Sequence, residues 1–122
     1  MNILFSFLLT LFIFFVIPVI VYGIFVKLFN IKEPNKKLNF FVGVLIEKIG
    51  TTLGFVALFY IARDFFIGYW LVFALAWFAM FAITEIGQVY MTGSSKKEAV
   101  AGIISEAIYF PLAAFVLSLL LR

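Results

Sequence analysis

A nearly unbroken apolar run from Phe40 to Met91 sets the first constraint on this chain. Wound as one α-helix, its roughly 52 residues would make a rod of about 78 Å. A bilayer core is only about 30 Å thick. The run must therefore fold back, and the natural break is Arg63-Asp64, the charged pair near its midpoint. Tyr60, Tyr69 and Trp70 flank that pair as an interfacial aromatic belt would, and Gly68 adds backbone freedom. A tight turn over 63–68 then separates a helix at about 39–62 from one at about 65–91.

Two more apolar runs, Ile3 to Val26 and about 97–121, are each long enough to span with some tilt. The expected fold class is an all-α integral membrane protein. Four transmembrane helices, about 3–29, 39–62, 65–91 and 97–121, form a single up-down bundle and one domain over 1–122. Pro18 and Pro111 fall inside helices and should kink them, because each ring removes a backbone hydrogen bond. Composition points the same way. The chain is 66% hydrophobic and 12% charged, whereas a soluble domain carries about 45–50% apolar and about 25% charged residues. The first run lacks a basic leader, is too long for a signal-peptide core and meets no small-residue cleavage site, so it reads as a retained span. With no ionisable residue inside, it is expected to be a lipid-facing wall.

The chain has no Cys and no His. That excludes disulfides, thiol chemistry and Ser-His or Cys-His nucleophile pairs, as well as the usual zinc, copper and haem ligand sets. No catalytic residue, cofactor or nucleic-acid motif is identified. The lysines are one-sided. Lys27, Lys32, Lys36, Lys37, Lys96 and Lys97 fall in two loops on one face, and Arg63, Arg122 and the N-terminal amine on the other. The positive-inside rule places both lysine loops in the cytoplasm and both termini opposite. The loop from Lys27 to Asn39 also suits contact with anionic lipid, at about 1 kcal/mol per basic residue.

Glu85 and Glu106 stand on either side of the polar turn from Thr92 to Lys97, each about 9–12 Å below it if both flanks are helical. Glu47 lies at a similar depth from the other lysine loop, so a layer of carboxylates is expected near one membrane face. On the second helix Gly43, Glu47, Gly50 and Gly54 share a face, and Gly50–Gly54 is a G-x-x-x-G motif that admits a close neighbour. This predicts Glu47 on the packing face, with Lys48 roughly 100° away. On the fourth helix Ala99, Gly102, Glu106, Tyr109 and Ala113 form one stripe; on the third, Ala79, Ala82, Glu85 and Gln88 do so. The candidate proton or cation site is therefore Glu47, Glu85, Glu106, Lys48, Gln88 and Tyr109, and the helix-packing residues are Gly43, Gly50, Gly54 and Gly102. Crowded carboxylates retain protons, and an oxygen ligand set would favour Na⁺, Mg²⁺ or Ca²⁺, the metal itself being open.

In length and helix count the chain is similar to small multidrug transporters and fluoride channels. It has no acid in its first helix and no matching glycine-asparagine signature, so the likeness is one of size and carries nothing over. Three functions are weighed. The first is a proton- or cation-handling transporter or channel subunit, which implies a homo-oligomer because one protomer offers little room for a pore. The second is a non-catalytic accessory subunit of a larger membrane complex. The third is a lipid-acting intramembrane enzyme, although no D-x-x-D, H-E-x-x-H or G-x-S-x-G pattern is present. The expected partners are membrane lipid, further copies of the chain or other membrane subunits.

Overall fold

The computed structural model describes residues 2–29, 38–93 and 96–121. Among them it contains helices and turns and no strand: α1 (Asn2–Phe29), α2 (Leu38–Ile61), α3 (Arg63–Phe66), α4 (Trp70–Thr92) and α5 (Lys96–Leu120). All except the four-residue α3 are long and apolar enough to cross a membrane. At 1.5 Å per residue they measure about 34–42 Å, more than the hydrocarbon thickness. The loop carrying Lys32, Lys36 and Lys37, the tip of the Thr92–Lys97 turn and Arg122 lie outside the described residues.

The fold-back near the middle of the long apolar run is where charge returns, but it is longer than the sequence suggests. The third long helix starts at Trp70, not at 65. Residues 63–66 instead wind a separate helical turn: the amides of Phe65 and Phe66 both donate to the Ala62 carbonyl at 3.0 Å, and that of Ile67 donates to Arg63 at 2.9 Å. Arg63 folds back on the end of α2. Its guanidinium donates to the Tyr60 carbonyl at 3.0 Å and lies over the Tyr60 ring, 4.4 Å from the centroid. At the other end Gly93, with φ +71°, closes α4 in the left-handed conformation that a Cβ would oppose.

Helix α5 is the axis of the packing; α4 and α1 lie against it, and α2 lies against α1. Its buried face is mostly small: Ala99, Ala101, Gly102, Ser105, Ala113, Ala114 and Ser118. Small residues let helix backbones approach, which matters in lipid because the hydrophobic effect gives helices no reason to associate there. Ser105 and Ser118 donate their hydroxyls to the carbonyls of Ala101 (2.9 Å) and Phe115 (2.6 Å) on the same helix.

The first helix is more than a lipid-facing wall. Ser6, Thr10, Ile13, Phe14 and Val21 are buried on one stripe, while Leu4, Phe5, Leu8, Phe12 and Val19 on the other faces are exposed. Hydropathy alone cannot separate a Phe that meets lipid from one that meets protein. The small hydroxyl residues at spacing four do mark the packed side.

A cluster of rings fills the centre. Phe14 contacts Phe55 (centroids 5.4 Å apart), Tyr109 (4.8 Å) and Phe110 (5.4 Å). Phe55 contacts Phe73 (4.8 Å), Trp77 (5.5 Å) and Phe110 (5.6 Å). Rings from α1, α2, α4 and α5 thus meet in one place, most of them edge to face. Outside, large apolar side chains point away from the protein all round, with Ile83 and Val19 each 70% exposed and Ile61 77%. So much exposed apolar surface is stable only with lipid as its solvent.

Phe55 and Phe110 are fully buried, so F55A or F110A should destabilise the protein in lipid or detergent by about 3–5 kcal/mol. Truncation of the exposed Ile83 should change little. Reversible unfolding in mixed micelles of rising denaturing-detergent content measures both.

Candidate functional site

The polar residues of the spans gather toward the end of the molecule where α4 ends and α5 begins. Counting along the helices, Glu85 lies about 10 Å from the end of α4, and Glu106 and Lys48 about 15 Å from the starts of α5 and α2. Glu106 is the centre of the group. It is only 4% exposed, on the small-residue face of α5. The carboxyl group of Glu85 on α4 lies against the same face of α5 at Gly102, one turn earlier, so the two acids adjoin. Glu106 Oε1 is buried and has no hydrogen-bond partner. Leaving a buried polar atom unsatisfied costs about 1–3 kcal/mol, so this oxygen is a standing acceptor for water, a proton or a cation.

Gly102 makes the pairing possible. One turn before Glu106, its Cα faces α4, and a Cβ there would lie 2.8 Å from Glu85 Oε1 and 2.9 Å from its Cδ. The Glu85 carboxyl occupies the volume that any other residue's side chain would fill. Sequence reading places Gly102 in the helix-packing set; the structure shows that what it packs against is the carboxyl group itself.

The second helix presents a different face from the one expected. Thr52, Phe55, Val56 and Phe59 are buried, and the half-buried Lys48 precedes them on the same stripe. Lys48 Nζ lies over the Tyr109 ring, 5.0 Å from its centroid, and its carbonyl accepts a 2.6 Å bond from the Thr52 hydroxyl. Glu47 is exposed, as are Gly43 and Gly50, and a Cβ at either glycine would meet nothing within 4 Å. Of the four-residue stripe only Gly54 reaches a neighbour, with its Cβ position 3.4 Å from Trp77. The physical reason is the ring cluster. Burying Phe55 and Phe59 rotates α2 so that Lys48 follows them inward, and the glycines, which have no area to bury, are left outside.

Glu47, Glu85 and Lys48 all act electrostatically on Glu106, and the same acids act on Tyr109. No group of three or more Asp, Glu, His or Cys side chains among the described residues is placed to hold a metal ion. Gln88 is exposed and stays apart; the whole stripe Ala99, Gly102, Glu106, Tyr109 and Ala113 is buried.

One residue of the site escapes the sequence reading. Tyr22 of α1 donates its hydroxyl to the Glu98 carbonyl of α5 at 3.3 Å and lies in the field of all the acids of the layer. It is the polar-tipped aromatic of its span, at a depth matching Glu85, and that pattern is the signal which would have found it.

Glu85 and Glu106 should show a stability coupling in the range of about 0.5–3 kcal/mol that contacting groups display in a double-mutant cycle. Repeated in a G102A background, the cycle should give a coupling near zero, because the methyl group pushes the flexible Glu85 carboxyl aside while the fold stays intact. Undiminished coupling in G102A would show that the glycine does not position the pair. No protein-family model, curated protein or solved structure compared with this chain matches it.

Proposed function

We propose that this is a multi-pass membrane protein which takes up and releases protons, or exchanges them for a small cation, at the Glu85–Glu106 carboxyl pair, as part of a small transporter or channel. The observation that carries this reading is the adjoining of the two carboxyl groups at Gly102, with Glu106 buried and its Oε1 without a hydrogen-bond partner. In a low-dielectric bundle two adjoining carboxyl groups favour one shared proton over two charges. Lys48 offsets the one negative charge that remains, and its perch over Tyr109 gives it a second place to rest when a cation or proton takes that role.

The proposed arrangement is an up-down bundle kinked at Pro18 and Pro111, with both lysine-bearing ends facing the cytoplasm and both termini outside. The carboxyl pair is then reached from the cytoplasmic side. Ion handling here suits an assembly of several copies, because the centre of one protomer is filled with rings.

A second reading rests on a separate observation. Gly43, Glu47 and Gly50 form an exposed stripe with open space over both glycines. On a span, such a stripe suits a second helix with a cation opposite Glu47, supplied by another copy or by a different subunit. In that case the chain is an accessory subunit and the carboxyl pair a structural tie. Nothing in the site favours a lipid-acting enzyme.

Reconstituted into liposomes carrying an internal pH dye, the wild-type protein should dissipate an imposed pH gradient, and E106Q and E85Q should reduce the rate to that of protein-free vesicles. A Gln can donate to the remaining carboxylate, so these variants keep the tie and lose only the exchangeable proton. Wild-type-like flux in both variants, or none in wild type, would remove the transport reading. On the accessory reading, G50L should instead release the chain from its native assembly in mild detergent.

A further inference from the structure

A cleft opens where the end of α1 meets the start of α5, lined by Phe25, Lys96, Lys97 and Val100, with a volume of about 270 Å³. It is separate from the carboxyl pair, which lies more than a helical turn deeper. The surface that lines it is apolar throughout, so Lys96 and Lys97 border it with their methylene stems. Phe25 is half-buried and Val100 48% exposed, and they form an apolar wall. Lys96 and Lys97 are exposed and supply two ammonium groups in the first turn of α5, with the exposed Lys27 in the last turn of α1 at the same end of the molecule.

We propose that this cleft seats one anionic glycerophospholipid, with its phosphate at Lys96 and Lys97 and the upper part of an acyl chain against Phe25 and Val100. The argument is one of charge and apolar complementarity at a fixed depth. The lysines stand at the end of a span, where headgroups lie, and the apolar wall extends from them into the hydrocarbon. A long Lys side chain at such a level extends its ammonium toward the interface and lays its methylene stem on the wall below. The cleft is slightly smaller than the ~300–1,000 Å³ of a site that encloses a whole small molecule. It therefore suits the neck of a larger amphiphile whose tails continue along the helix surface. A zwitterionic lipid fits the wall equally well but brings its own cation to the lysines, so the preference is for net negative headgroups.

Native mass spectrometry of the full chain, released from micelles holding equal phosphatidylglycerol and phosphatidylcholine, tests this. Wild type should retain one phosphatidylglycerol in preference to phosphatidylcholine. At about fivefold per basic residue, K96Q/K97Q should lower that preference by about 25-fold, whereas R63Q at the opposite end of the spans should leave it unchanged. V100W keeps both lysines and fills the cleft, so it should lose the retained lipid whatever its headgroup, and it decides the matter if the double variant does not fold. Equal retention of both lipids by wild type, or undiminished phosphatidylglycerol retention in K96Q/K97Q or V100W, would overturn the proposal. A loss in R63Q as large as that in the double variant would also overturn it, because general surface charge would then suffice.

Discussion

The approach of α4 to α5 and the burial of the Glu106 carboxyl meet at one point of this bundle. In lipid, a polar side chain inside the protein must find its partner there, because no water waits on the outer surface as an alternative. Glu106 has the Glu85 carboxyl beside it, and its own Oε1 is without a hydrogen-bond partner. The backbone of α5 at Gly102 is bare where the Glu85 carboxyl arrives, so the pairing of the acids and the close approach of α4 to α5 are a single feature. A larger residue at 102 and an intact pair are mutually exclusive without a shift of the side chain.

The same logic explains how the helices divide the labour. Alanine, glycine and serine on α5 draw α4 and α1 in close, while α2, which makes its main backbone approach to α1, reaches the far side of the bundle through Phe55 and Phe59. Rings are long enough to cross a wider gap and still fill it. One consequence is that Lys48, on the ring-bearing face, turns inward and its ammonium lies over the Tyr109 ring.

How far these features could be read beforehand depended on what each residue leaves in the one-dimensional pattern. Span number, the fold-back near Arg63 and the α5 stripe from Ala99 to Ala113 all follow from length and helical period, because they are set within one helix. The face of α2 was harder. Glycine spacing and aromatic spacing on that helix point in different directions, and only the packed bundle shows that area buried by Phe55 and Phe59 outweighs close approach at Gly43 and Gly50. Tyr22 was hidden for a different reason: its role comes from a carbonyl on α5, 76 residues away, and a helix-by-helix reading has no term for that. The adjoining of Glu85 and Glu106 lies between these cases, since the hairpin puts both at one level but does not state that they meet.

Depth sets the last constraint on any transport by this chain. Glu85, Lys48 and Glu106 lie within about 10–15 Å of the lysine-bearing end, while Phe14, Trp77, Phe110 and Phe55 lie about 21–25 Å from it, reckoned at 1.5 Å per residue. The acids are thus on one side of a layer of rings in mutual contact. Beyond Tyr109 the next buried hydroxyls among the described residues are those of Thr52, which donates to the Lys48 carbonyl, and Thr10, which has no hydrogen-bond partner. On the transport reading, this conformation is therefore the one loaded from a single face, and turnover requires the rings to part. The helix best placed to move is α2, because it is joined to α4 and α5 mainly through those same rings, and swinging it outward would carry Lys48 away from the carboxyl pair as the way beyond opens. Release of the proton and loss of its neighbouring cation would then be one movement, which gives the pairing of a lysine with the ring-bearing face of α2 a mechanical sense that a purely structural tie between helices does not supply.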